Sequence, residues 1–349
     1  MKKRAFISIL LCISVCLMFV SCGAKTEKYS AHSFDYFDTV TTITGYAASK
    51  VDFDLVCEDI FASLAEYHKL FTIYHRYEGL ENLCTINELR DGVHRTVKVD
   101  DRIMNMLLFS KEMYEKTDGR VNIAMGSVLS IWHDYREAGD GKPWEAELPP
   151  MTLLQEAALH TDINDLILDT EKGTVMLADP AMKLDVGAIA KGYAVEMVAR
   201  DLEQKGITGY VLNVGGNVRT IGTKGDGEKW TVGLENPDDD GNTPYHAYLY
   251  LAGESVVTSG TYQRYYIVDE KEYHHIIDPE TLMPAEGYHS VSVICRDSGL
   301  GDALSTALFC MSLEEGMALV ESLEDVEVMW VLTDGTKQAS SGFPSYTEK

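Results

Sequence analysis

The sequence predicts an α+β fold in which mixed and antiparallel sheets carry packed helices. Three observations predict it. Strand-like segments in the C-terminal half follow one another in runs instead of alternating with helices, which argues against a doubly wound parallel sheet. Long amphipathic helices dominate the N-terminal half. No internal repeat and no clean linker divides the chain behind its N-terminal leader, so a single catalytic unit is expected over 35–349.

The elements follow in order. Over 36–44 the β-branched, alternating run Phe37-Asp38-Thr39-Val40-Thr41-Thr42-Ile43-Thr44 predicts a strand. Val56, Ile60, Leu64 and Phe71 recur at helical spacing and predict a helix over 52–70. A second helix is expected over 101–116, with Asp100 as cap and Gly119 just beyond its end. The stretch 137–150, rich in Gly, Pro and acidic residues, reads as an exposed excursion. The turn at 185–188 leads into a helix to about 205, closed by Gly206. Strands are then expected at 210–214, 230–234, 248–251, 256–259, 265–268, 275–277 and 290–295. Helices at 302–310 and 314–323 precede a last strand over 326–333, which turns at Asp334-Gly335.

Composition narrows the function. A net charge of −25 lacks the basic footprint that a nucleic-acid or anionic-lipid surface requires. An acidic chain that binds a phosphate must hold it locally, through a metal ion, backbone N–H groups or a few cations. Lys2, Lys3 and Arg4 precede an apolar run over 5–20, too short for a comfortable membrane span but suited to a signal peptide. Ser21-Cys22-Gly23 then resembles a bacterial lipoprotein processing site, although Phe19 stands where an aliphatic residue is usual. A signal peptide over 1–21, a lipidated Cys22, an anchor and tether over 22–34 and an extracytoplasmic location follow as expectations. Of seven cysteines, Cys57, Cys84, Cys295 and Cys310 lie beyond the leader with no Cys-x-x-Cys spacing, so a zinc site is not expected.

Two constellations carry chemistry. Asp302 and Thr306 stand four apart on a predicted helix and face one way, with Ser305 beside them. A carboxylate and a hydroxyl suit Mg²⁺, which takes few protein ligands and keeps positions open for phosphate oxygens. The same pair also fits an N-cap Asp with a core-facing Thr. Asp185-Val186-Gly187-Ala188-Ile189-Ala190-Lys191-Gly192 combines small residues with a helix start, where backbone can approach an anion closely. Lys191 opposes the helix dipole there but suits a phosphate. A tight turn packed on Gly187 and Gly192 is the alternative. Of the adjacent His274 and His275, only one can line a given pocket if they lie in a strand, and the other is expected at the surface.

These stretches, with Phe71-Thr72-Ile73-Tyr74, Thr117-Asp118-Gly119, Asn213-Val214-Gly215-Gly216-Asn217, Ser259-Gly260-Thr261-Tyr262 and Asp278-Pro279, stand in an order that resembles the ApbE family of FAD:protein FMN transferases, the flavin-trafficking lipoproteins. The resemblance covers about 36–319. It implies an ApbE-like, T-fold-related unit with FAD as substrate and Mg²⁺ as cofactor. By the same resemblance the backbone oxygen of Ala188, with Asp302 and Thr306 and with Ser305 adjacent, binds Mg²⁺. Asp185 and Lys191 contact FAD, while Phe37, Tyr74 and the Gly119-Arg120-Val121 turn line the cofactor pocket. His275 and Ile276 border the flavin phosphate. Departures from the family pattern are Asn122 and Ala124 in place of Asp and Thr, and Leu282 in place of Gly. A longer stretch after Tyr74 also makes Tyr77 a competitor for its role.

The implied reaction moves FMN onto a Ser or Thr hydroxyl of an acceptor protein and releases AMP, with Asp302 holding the metal and His275 taking the proton. The implied partners are extracytoplasmic acceptor subunits of membrane redox complexes, met by an enzyme that a lipid anchors to the membrane. Two alternatives share the site: a Mg-dependent FAD pyrophosphatase giving FMN and AMP, and a non-catalytic FAD-binding lipoprotein.

Overall fold

The computed structural model describes residues 26–88, 96–237 and 243–349. Strands β1 (Glu27–Tyr36) and β2 (Thr39–Ala47) form a hairpin. Its two turn residues, Phe37 and Asp38, take φ of 54° and 51°, the paired positive angles that match a two-residue turn to the twist of the strands. Of the tether expected over 22–34, the part from Glu27 onward lies in β1. Tyr29, Ala31 and Tyr36 pack at alternate or nearby positions against the core, so the segment from Glu27 onward is sheet. The expected leader and Cys22 lie outside the described residues.

Helix α1 (Lys50–Phe71) starts at Ser49, whose side chain accepts the Asp52 N–H. After α2 (Leu83–Asn87) and β3 (Val97–Lys98), α3 (Asp101–Lys116) is capped by Asp100 as expected. Asp118 and Gly119 end it at φ 50° and 78°. Helices α4 (Gly126–Gly139) and α5 (Met151–Ala158) were not legible in the sequence. Neither has a side-chain cap at its N-terminus, so the usual start signal is missing. The expected excursion therefore begins only after Gly139.

Strands β4 (Leu166–Asp169) and β5 (Thr174–Leu177) join β3 in a small sheet, followed by α6 (Ala190–Gln204). Then come β6 (Tyr210–Val214), β7 (Asn217–Ile221), β8 (Trp230–Glu235), β9 (Tyr245–Leu251) and β10 (Ser255–Gly260). The chain continues through β11 (Tyr265–Val268), β12 (Lys271–His274), β13 (Tyr288–Cys295), α7 (Ser298–Phe309), α8 (Leu313–Glu321), β14 (Glu327–Leu332) and β15 (Lys337–Ala339). The strand expected at 275–277 is displaced: β12 ends at His274, and the chain beyond it leaves the hairpin to bridge at Ile277 and Pro284.

The main sheet runs β1-β2-β6-β7-β10-β13-β14-β15 with every pairing antiparallel. Helices α1, α6 and α7 pack on it, and the β8–β9 hairpin covers part of the opposite face. Side-chain alternation feeds both layers: Val291 and Val293 of β13 join the cluster around α7, and Ile294 joins the hairpin cluster. β14 reads as an apolar run from Val328 to Leu332, and β13 as β-branched residues interleaved with serines, which is why both were visible in the sequence.

A buried ionic network fixes α6 against α7. Glu196 of α6, 3% exposed, accepts Arg219 Nε of β7 at 3.0 Å, the Ser298 N–H at 3.0 Å and Arg200 Nε at 2.8 Å. Arg219 also donates to Glu203 at 3.0 Å. Buried charges are tolerated when each is paired and hydrogen-bonded, as here.

Candidate active site

The site grows from the close approach of α6 to α7. A Cβ on Gly192 would lie 2.3 Å from the Ser298 carbonyl oxygen and 2.5 Å from Asp302 Cβ, so only glycine admits this contact. Asp302 is not a cap. Asp297 caps α7 by accepting the Gly299 and Leu300 N–H groups, and Asp302 sits a turn further in, 5% exposed. Its Oδ2 accepts the Gly192 N–H at 2.7 Å and its Oδ1 faces Lys191 Nζ at 3.3 Å. Lys191 Nζ also donates to Asn217 Oδ1 at 2.7 Å. These partners offset the poor placement of a lysine at a helix start.

The Gly192 N–H is spent on Asp302, four residues past Ala188, where helix geometry would otherwise direct it to the Ala188 carbonyl. That carbonyl accepts no hydrogen bond among the described residues. The Thr306 hydroxyl, one helical turn from Asp302, likewise has no hydrogen-bond partner among them. No group of three or more His, Cys, Asp or Glu side chains placed to hold a metal ion occurs among the described residues. The donor set available here is thus one carboxylate, one hydroxyl and one carbonyl, all hard oxygens, which fits a magnesium ion that retains waters or takes substrate oxygens.

One cleft holds these groups together with others. It is lined by Tyr74, Arg120, Val121, Asp185, Ala188 and Lys191, together with Asp302 and Thr306 and with Arg264, His275 and Ile276. His275 Nδ1 lies 3.1 Å from the Arg264 carbonyl, which also accepts the His275 N–H at 3.1 Å. With Nδ1–H donating, Nε2 carries the lone pair. Burial, with the Arg264 cation beside it, pushes the imidazole down to about 3, so it is neutral at neutral pH. Asp185 accepts the Gly187 N–H at 2.9 Å. Burial raises its carboxyl above the ordinary range, against the pull of that N–H and of His133, Arg136 and Arg264. Arg120 is held by Glu280 at 2.9 Å and Asp278 at 3.7 Å. An acidic chain thus gathers Arg120, Arg136, Lys191 and Arg264 in one place.

A family model described as the ApbE family matches residues 37–330. The chain belongs to the ApbE family. A FAD:protein FMN transferase of Klebsiella pneumoniae is 33% identical over 272 residues, 75% of this chain and 81% of that one. A FAD:protein FMN transferase of Treponema pallidum is 32% identical over 260 residues, 70% of each chain. The crystal structure of an ApbE protein of Thermotoga maritima shares the fold with a TM-score of 0.80 at 28% identity, covering 93% of this chain and all of that one.

Not every residue implied by the ApbE resemblance faces the cleft. Phe37 occupies the β1–β2 turn, where its N–H donates to His68 Nδ1 at 3.1 Å, and it is not among the lining residues. Gly119 turns the chain, while Arg120 and Val121 reach the cleft. Ser305 is fully buried; its hydroxyl donates to the Asp302 carbonyl at 3.0 Å and pairs with Ser259 Oγ at 2.9 Å, so it braces α7 and does not offer a free ligand. Tyr74 lines the cleft and packs on His133 at 5.4 Å between centroids, whereas Tyr77 lies under Lys69. His274, expected at the surface, is buried and bonded to the Ala285 carbonyl at 2.8 Å. Both histidines border the cleft because β12 ends between them. Asn122, where ApbE proteins usually carry Asp, donates its amide to the Thr161 carbonyl at 2.8 Å, a bond a carboxylate could not make. Sequence reading missed His133 and Arg136 of α4, which carry no motif, and Arg264, one residue past the Ser259–Tyr262 stretch and its Gln263 neighbour.

Proposed function

We propose that this chain is a FAD:protein FMN transferase that moves FMN from FAD to a Ser or Thr hydroxyl of an acceptor protein and releases AMP. The observation that carries the reading is that the Ala188–Asp302–Thr306 oxygen set, Lys191 and a neutral His275 all line one cleft. Names of the ApbE relatives support the same activity.

In the step itself, the acceptor hydroxyl oxygen bonds to the FMN-side phosphorus as the bond from that phosphorus to the bridging oxygen breaks. The bridging oxygen leaves with AMP, and the hydroxyl proton passes to His275 Nε2. Lys191 and the nearby arginines orient the pyrophosphate, and Asp185 and Tyr74 face the rest of the cofactor. Asp302, Thr306 and the Ala188 carbonyl would hold a magnesium ion, which when bound would supply positive charge for the pyrophosphate and for the charge that develops on departing AMP. The reading includes a lipid anchor on Cys22 and an extracytoplasmic location, where acceptor subunits of membrane redox complexes are met. Because β1 starts at Glu27, such an anchor would hold the sheet edge within about 17 Å of the membrane, roughly five extended residues.

The test incubates the full chain with FAD, Mg²⁺ and a Thr-bearing acceptor domain. Covalent flavin on the acceptor, with one AMP released per flavin, is the expected result, and Asp302→Ala should abolish it. Free FMN without covalent product would indicate hydrolysis, and intact FAD would indicate storage. Undiminished transfer by Asp302→Ala would refute the metal assignment.

A further inference from the structure

Asn217 has no role in the chemistry described so far, yet its surroundings are unusual. It opens β7 directly after the Gly215-Gly216 turn, both glycines at positive φ, and its side chain is fully buried. Its Oδ1 accepts Lys191 Nζ at 2.7 Å, closer than the 3.3 Å between that ammonium and Asp302. Its Nδ2 has no hydrogen-bond partner although it is buried. The amide cannot turn to satisfy Nδ2, because that would point two N–H donors at an ammonium. Buried amides rarely leave a donor unmatched without compensation, and the compensation visible here is the bond to Lys191.

The charges explain why an amide stands at this position. Lys191 and a divalent cation both want Asp302, the one carboxylate they share. A neutral acceptor can hold the ammonium in place without cancelling its charge, whereas a carboxylate would neutralise it and leave less attraction for a phosphate. We propose that Asn217 is a positioning residue that draws Lys191 off Asp302, so that the metal can take the carboxylate while the ammonium stays in the cleft for the pyrophosphate. The proposal rests on the metal reading above and extends it: Lys191 competes with the metal, and Asn217 sets the terms of that competition.

A double-mutant cycle with Mn²⁺ as the probe tests this on the full chain, with binding read by calorimetry or by the spin signal of free Mn²⁺. Asn217→Ala should weaken Mn²⁺ binding by about fivefold or more, the scale of coupling between groups in direct contact, and Lys191→Met should strengthen it. In the Lys191→Met background, Asn217→Ala should then change nothing. A purely structural asparagine would weaken binding equally in both backgrounds, and that result overturns the proposal. So does a Lys191→Met protein with unchanged Mn²⁺ affinity, a measurement that stands even if Asn217→Ala does not fold, because Lys191 is partly exposed. Absence of Mn²⁺ binding in the parent, or binding that survives Asp302→Ala, is a separate failure: it removes the metal reading and the proposal falls with it.

Discussion

Replacing Gly192 by alanine sets two effects of opposite sign against each other. Gly192 lies inside α6, and in a free helix the change would stabilise by about 0.8–1.0 kcal/mol. Here the new methyl would meet the Ser298 carbonyl oxygen at 2.3 Å, Asp302 Cβ at 2.5 Å and Asn217 Nδ2 at 3.0 Å. The first two are backbone or backbone-attached atoms of α7 and cannot rotate away. Overpacking costs roughly 1–3 kcal/mol. Parting the helices also stretches the Gly192 N–H bond to Asp302, and a bond to a charged group is worth about 1.5–3 kcal/mol. The net loss is about 2–5 kcal/mol after the helix gain is subtracted, a large part of the total stability of a typical protein. Thermal unfolding should show a clearly lowered midpoint, and flavin transfer should fall because Asp302 and the Ala188 turn part company. Gly206→Ala is the control: nothing lies within 4 Å of its added methyl, its φ of 73° makes it mildly strained, and transfer should persist. A Gly192→Ala protein as stable and as active as the parent would refute the packing argument.

Four further outcomes are expected. His275→Ala should lower the transfer rate far more than FAD affinity, and an unchanged rate removes His275 as proton acceptor. Because His275 titrates near 3 in the fold and near 6.5 unfolded, the unfolded chain binds more protons between these values. The corresponding stability is present above about pH 6.5 and is lost as pH falls toward 3. His275→Gln should flatten that part of the stability profile in acid unfolding scans. Leu282→Gly restores the family's usual residue at a φ of 60° and relieves roughly 1–2 kcal/mol of left-handed strain. It also empties a buried site packed with Met125 and Trp132, at about 2–5 kcal/mol, so the midpoint should fall, not rise. Cys22→Ser should release the protein from the membrane fraction, and retention there would count against lipid anchoring.

The sequence by itself determined the fold class, the helices over 52–70, 101–116 and from the 185–188 turn to about 205, and most of the strands of the C-terminal half. These rest on apolar periodicity, caps and glycine stops, which a dozen neighbouring residues encode. It also determined which residue types were available for hard-oxygen chemistry. What only the tertiary structure decided is which of them meet. Lys191 and Asp302 are 111 residues apart, and Arg264 reaches the Asp38 carbonyl across 226. No local signal tells a cap aspartate from a mid-helix one when Asp297 and Asp302 stand five apart, and the choice fell to the packing of α7 on Gly192. The same packing buried Ser305, exposed the Ala188 carbonyl by taking away its helical donor, and brought α4, a helix without a start signal, to the cleft. Local chemistry names candidates; the contact between two helices, with a buried Glu196–Arg219 pair locking it, selects among them.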